Sequence, residues 1–159
     1  MPVSLVVIHG ISLPPGEFGG PWIDALFTNT LNPDLHPYFA EIAGLTVSAH
    51  LLVRRDGEVV QYVPFDRRAW HAGRSCHEGR ENCNDFSIGI ELEGTDDIPY
   101  TRQQYEALAA VLALLETRYP DAAGHLAGHS DIAPGRKTDP GPSFDWAQLE
   151  QVRKGERHA

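Results

Sequence analysis

Five side chains in this sequence are of types that would carry out hydrolysis if the fold brought them together: His9, Glu91, His129, Lys137 and Asp139. His9 ends an apolar, β-branched run just before Gly10, and His129 follows a second short apolar piece in GHSDIAP. Imidazole is the commonest metal ligand, so both are candidate ligands, although a hydrogen-bonded core histidine is the plainer account of either one alone. Asp139, in RKTDPG, reads as a third ligand or as the turn-forming Asp of an Asp-Pro-Gly segment. Lys137 stands two residues earlier, on the same side of an extended loop. An ammonium beside a ligating carboxylate suits metal-assisted hydrolysis. Glu91 lies on the polar side of an alternating segment with Glu93 beyond it. It reads as a solvated position on an edge strand or as a general base, its pKa raised by the second carboxylate. No His-Glu-x-x-His occurs, which excludes a helix-borne metallopeptidase site. The ligands must therefore come from distant segments, and the residues by themselves point to a mononuclear zinc hydrolase.

The elements that must position these groups follow from hydropathy patterning. Segment 3–9 is a buried central strand that stops at Gly10, followed by a Pro- and Gly-rich loop and a short helix from Pro21 through Phe27. Segments 46–54 and 58–63 alternate around Asp56-Gly57, a strong hairpin signal. Residues 71–85 show no period and read as a long loop, a class more often functional than idle. In 86–93, Phe86, Ile88, Ile90 and Leu92 point one way and Ser87, Gly89, Glu91 and Glu93 the other. Thr101 and Gln104 form a capping box ahead of a helix that Pro120 ends. A last helix starts near Ser143. The expectation is one α/β domain over 1–159, with a three- or four-stranded sheet and helices layered against it.

The chain is 159 residues long, with 13 Lys+Arg against 22 Asp+Glu and a net charge of −9, which argues against nucleic acid as a partner. No stretch approaches the roughly 20 apolar residues of a membrane span, and MPVSLVVIHG lacks a basic leader. Cys76 and Cys83 do not match a Cys-rich zinc site, so a cytoplasmic protein with free thiols is expected. Among the other histidines, His50 falls on the polar face of 46–54 and lines the same cleft. His36 and His71 read as loop residues beside aromatics, and His77, His125 and His158 as surface residues. Tyr38 and Trp70 are candidate apolar walls for a substrate. Arg80 and the Arg67–Arg68 pair are candidate cations for an anionic one.

Long stretches of the chain resemble the zinc-dependent type 2 N-acetylmuramoyl-L-alanine amidases: VVIHGISLPPGEFGGPW, HPYF, VSAHLLVRRDGEVVQYVPFDRRAWHAG, CNDFSIGIELEGTD and GHSDIAPGRKTDPGPSFDW. The nearest branch of that family acts in the cytoplasm on 1,6-anhydro muropeptides. The resemblance implies a mixed β-sheet flanked by helices, shared with peptidoglycan recognition proteins. It places ligands for one zinc ion on His9, His129 and Asp139, the catalytic acid/base on Glu91, and the transition-state stabiliser on Lys137. It also implies cleavage of the lactyl–L-alanine amide of 1,6-anhydro-N-acetylmuramoyl peptides during peptidoglycan recycling; a monomer is expected. The sequence departs from the family's usual pattern at Gly10, where relatives usually carry Asn, and at Ser130, where they often carry Cys.

Overall fold

The first strand is apolar on both sides because both sides are covered. The computed structural model describes residues 1–158, and over 156–158 only the backbone of the final helix. Strand β1 (Leu5–Ile11) pairs in parallel with β6 (Ser87–Glu93) on one side and β7 (Leu126–Gly128) on the other. Beyond β6 lies β2 (Leu51–Val53), again parallel, and the antiparallel β3 (Val59–Gln61) closes the edge. The order β3-β2-β6-β1-β7 makes a five-stranded mixed sheet, larger than the three or four strands expected. It forms a single domain with helices on both faces.

Val6, Ile8, Ile88, Ile90 and Leu92 face α3 (Arg102–Arg118) and α5 (Trp146–His158), meeting Tyr105, Leu108, Leu112 and Leu149 in the main core. Full burial of such side chains contributes roughly 1.5–3 kcal/mol each. The other face carries two smaller clusters. Leu5, Val7 and Phe86 pack with Ala72, Cys83 and Ile132 under the 71–86 segment and α4 (His129–Ile132). Leu13 and Leu52 pack with Ile23 and Phe39 under α1 (Trp22–Phe27) and α2 (Pro37–Glu41).

Several sequence expectations are corrected. β1 does not stop at Gly10; Gly10 and Ile11 stay in register with Leu92 and Glu93. Glu91 is not on an edge strand, because β6 is interior and all seven of its residues are buried. Phe86 joins the opposite cluster from Ile88, since it caps a 3-10 turn (Cys83–Asp85) and the alternation begins only at Ser87. The 71–85 loop contains a small hairpin, β4 (Cys76–His77) and β5 (Arg80–Glu81), whose two-residue strands are too short to show a period. The Thr101–Gln104 capping box is present as expected. At the last helix it is Asp145 that caps, accepting from the Gln148 amide at 3.0 Å, while the Ser143 hydroxyl donates to the Thr95 carbonyl.

Candidate active site

Parallel pairing of β1 with β6 sets His9 opposite Glu91. Their side chains therefore emerge side by side at the carboxyl ends of the strands, where open α/β sheets place ligands. His9 Nδ1 lies 3.7 Å from Glu91 Oε2. β7 ends at Gly128 and hands His129 directly to the first turn of α4. Asp139 arrives on the loop that returns over α4. Its carbonyl accepts from the Ser130 amide at 2.9 Å, and its Oδ2 accepts from the Gly10 amide at 3.2 Å.

Three donor atoms meet there. His9 Nδ1 and His129 Nδ1 are 3.0 Å apart. Asp139 Oδ2 is 3.3 Å from His9 Nδ1 and 3.3 Å from His129 Nδ1. Ligands held about 2.0–2.1 Å from a tetrahedral zinc ion lie about 3.3 Å from one another, so the triangle has the dimensions of one ion's ligand set. The donor chemistry fits as well. His129 Nε2 is 3.0 Å from the Ala72 carbonyl, which can only accept. In a neutral ring the proton is then on Nε2, and Nδ1 presents a lone pair. The far nitrogen of His9 lies 2.9 Å from His71 Nδ1.

Burial dominates the electrostatics. It lowers the His9 pKa to about 4, with the Asp139 hydrogen bond opposing and the charges on His129 and Lys137 assisting. Burial alone would raise the Asp139 carboxyl, but His129 and His9, which donate to it once their rings are protonated, outweigh burial and hold the group well below the usual carboxylate range. Glu91 is pushed well above that range, by burial first and by the Asp139 charge second, with Lys137 opposing. The sequence reading assigned the neighbouring charge to Glu93. That carboxylate instead turns toward Arg54, at 3.5 Å, and accepts from the Gly19 amide at 2.8 Å. Lys137 is itself exposed, its backbone amide tied to the Ala133 carbonyl at 3.0 Å.

The five residues are thus brought together, whereas the expected substrate contacts scatter. His50 does not line the cleft. It is fully buried, its Nδ1 accepting from the Gly89 amide at 3.1 Å and its Nε2 meeting the Arg67 carbonyl at 2.7 Å. Tyr38 packs against the Phe39 cluster on the α1–α2 side. Arg80 sits on the outer hairpin with its guanidinium 3.9 Å over the Phe86 ring. Trp70 is 54% exposed one residue before His71, with Arg68 5.2 Å over its ring. The side chain of His158 lies outside the described residues.

Two residues escaped the sequence reading. His71 is a loop residue beside Trp70, as expected, but it is buried behind His9, a place the sequence did not announce. The available signal was Gly89: a glycine inside a strand marks a close approach, and a Cβ there would lie 2.3 Å from the His71 ring. The second is Tyr100, whose hydroxyl donates to the Pro140 carbonyl at 2.8 Å, next to Asp139. Its pKa is raised by burial and then by Glu91 and Asp139. A Cβ at position 10 would lie 2.1 Å from that hydroxyl, so Gly10 is the residue that admits Tyr100.

Residues 1–142 match the family described as N-acetylmuramoyl-L-alanine amidase. The chain belongs to this family. The amidase is 71% identical over 146 residues to the 1,6-anhydro-N-acetylmuramyl-L-alanine amidase AmpD of Citrobacter freundii, a match covering 92% of this chain and 78% of that one. Its fold superposes on the crystal structure of a selenomethionine AmpD derivative with a TM-score of 0.94, at 68% identity, over 96% of this chain and 85% of the other. It also resembles AMPDH3 of Pseudomonas aeruginosa, solved in complex with anhydromuramic pentapeptide. There the TM-score is 0.74 at 30% identity, over 94% of this chain and 59% of that one. Among the described residues no helix is long and apolar enough to cross a membrane.

Proposed function

We propose that the amidase hydrolyses the lactyl–L-alanine amide of 1,6-anhydro-N-acetylmuramoyl peptides, acting as a cytoplasmic monomer in peptidoglycan recycling, with one zinc ion held by His9, His129 and Asp139. The observation that carries this reading is the triangle of three donor atoms 3.0–3.3 Å apart beside a buried carboxyl group. Its substrate class follows from relatives named for that activity. Three protein ligands drawn from His and carboxylate are the complement of catalytic zinc sites. Zinc at this position supplies Lewis acidity, which polarises the scissile carbonyl and lets water attack near neutral pH.

The chain's own groups do the rest. Glu91, with its pKa raised by burial, takes a proton from the attacking water and returns it to the leaving alanine nitrogen as the carbon–nitrogen bond breaks. Lys137 sets its charge against the negative charge that develops on the carbonyl oxygen. Trp70 gives an apolar wall at the rim. An anionic stem peptide approaching a chain of net charge −9 needs local cations, and Arg67 provides one, whereas Arg80 is held on the outer hairpin over the Phe86 ring. Arg68 contributes less, because Asp85 already pairs with it at 2.7 Å.

Mass spectrometry of the products from soluble anhydro-muropeptide and from intact peptidoglycan, with and without a chelator, tests the proposal. The expected result is cleavage of the soluble substrate, lost on chelation and restored by zinc. Unchanged turnover in chelator would overturn the zinc assignment, and equal cleavage of intact wall would overturn the substrate assignment.

A further inference from the structure

We propose that His71 is a positioning residue for the metal centre: by accepting the Nε2 proton of His9 it fixes that imidazole in the tautomer whose Nδ1 lone pair faces His129 and Asp139. This rests on the reading of His9, His129 and Asp139 as metal ligands.

The argument is a count of protons along one line of buried groups. The Ser87 hydroxyl has a single hydrogen and lies 2.5 Å from the Cys83 carbonyl, which can only accept it. Ser87 Oγ is also 3.0 Å from His71 Nε2, and with its hydrogen spent it can only accept there. The one proton of a neutral His71 is therefore on Nε2, and its Nδ1 is a bare acceptor. His9 Nε2, 2.9 Å away, must bring the proton to that contact, which leaves His9 Nδ1 without one. On the other side the Ala72 carbonyl imposes the same tautomer on His129. Two neighbouring residues thus orient both imidazoles, one through its side chain and one through its backbone. What remains among the three converging atoms is electron pairs with no hydrogen to share, an arrangement that calls for a cation.

The segment carrying these partners is itself held on several sides. Asn84 Oδ1 accepts from the amides of both His71 and Ala72, at 3.1 and 2.9 Å. Arg136 Nη2 donates to the Ala72 carbonyl at 2.7 Å and to the Arg74 carbonyl at 2.9 Å. Gly89 lets the His71 ring lie directly on the strand backbone, and the ring meets His9 edge-on with centroids 5.0 Å apart. Groups that orient a metal-bound histidine in this way typically contribute about 10- to 100-fold to metal affinity.

The test uses the full chain in parallel with His71→Leu, His71→Asn and Ser87→Ala. Long-range proton–nitrogen NMR spectra of the metal-free proteins at mildly alkaline pH read the tautomers directly. Zinc affinity is read by competition with a chromophoric chelator, and thermal unfolding of the metal-free proteins monitors folding. The parent is expected to show His9 and His129 with the proton on Nε2. His71→Leu is expected to lose the single His9 tautomer and weaken zinc binding about 10- to 100-fold. His71→Asn, which restores an acceptor near the position of Nδ1, should recover most of that loss. Ser87→Ala keeps the ring and should release the tautomer of His71 itself, so it carries the test if His71→Leu fails to fold. A parent His9 protonated on Nδ1, or His71→Leu binding zinc as tightly as the parent, would overturn the inference. A parent that binds no zinc would instead sink the metal reading, with the tautomer spectra still deciding whether the relay exists.

Discussion

Two groups of ligand-type side chains in this amidase look alike on paper. His9, His129 and Asp139 bring their donor atoms within 4.8 Å of one another, and so do His77, Glu78 and His125. The first group is buried or nearly so, and the far nitrogen of each histidine is tied to another group. The second, on the β4–β5 hairpin and ahead of β7, has Glu78 and His125 exposed and His77 half-buried. There His77 Nε2 is 3.9 Å from the Glu78 carboxylate and has no hydrogen-bond partner among the described residues. Holding exposed side chains in one arrangement costs conformational entropy, up to about 1.5–2 kcal/mol for a long one such as Glu. In the first group folding has already met that cost. The contrast shows that donor atoms near one another do not yet make a site; what separates the two groups is whether something behind each donor aims it.

The comparison breaks most visibly through substitution. His129→Ala or Asp139→Ala is expected to remove zinc and lower turnover by more than about 10⁴-fold. Glu91→Gln should lower turnover by about 10²- to 10⁴-fold with zinc retained. Metal analysis beside steady-state rates separates the two, and near-normal turnover of Glu91→Gln would end the acid/base assignment.

A smaller effect is the pH dependence of the metal-free protein. The folded-state pKa of His9 is lowered to about 4 from 6.5, and that of buried His71 also falls well below its ordinary value, from burial and then the charges of His9 and His50. Between those limits these two histidines hold more protons in the unfolded chain than in the folded one and make stability rise with pH, while Glu91, protonated in the folded state over the same range, opposes them. The histidine contribution should therefore be fullest above about pH 6.5 and fall as the pH drops toward 4, with His9 alone accounting for up to about 3 kcal/mol. Urea unfolding of chelator-treated Glu91→Gln protein, which lacks the opposing carboxyl, measures this at several pH values, and flat stability across that window would contradict the buried neutral state of His9.

The smallest expected effect comes from the surface group. His77→Ala combined with His125→Ala should leave zinc content and turnover unchanged and shift stability by no more than about 0.5 kcal/mol. Loss of one zinc equivalent in that double variant would erase the distinction drawn between the two clusters.

Much of the site was legible in the sequence because its chemistry sits where patterns are strong. His9 ends an apolar, β-branched run, Glu91 falls on the polar phase of an alternating segment, and His129 follows a short apolar piece. What escaped was set by contacts between distant segments. His71 meets His9 across 62 positions of chain from a loop with no period. The interior position of Glu91 depends on β2 pairing outside β6, which no local pattern announces. His50 was placed in the cleft on strand alternation, yet the strand is confined to Leu51–Val53 and the ring before it serves the interior.

The register between β1 and β6 acts as a fixed ruler. Hydrogen-bonded strands lie about 4.8 Å apart whatever their side chains, so the offset between His9, the proposed ligand, and Glu91, the proposed proton carrier, is a property of backbone geometry. Sequence drift in the loops can move Lys137 and Asp139 by small steps and retune the site for a differently shaped substrate. The His9–Glu91 offset has no such intermediate settings. A slip of one residue in β6 would present Ile90 or Leu92 in place of the carboxylate, because neighbouring positions face opposite sides of the sheet. Divergence within such a scaffold is thus free at the returning loop and all-or-none at the ladder.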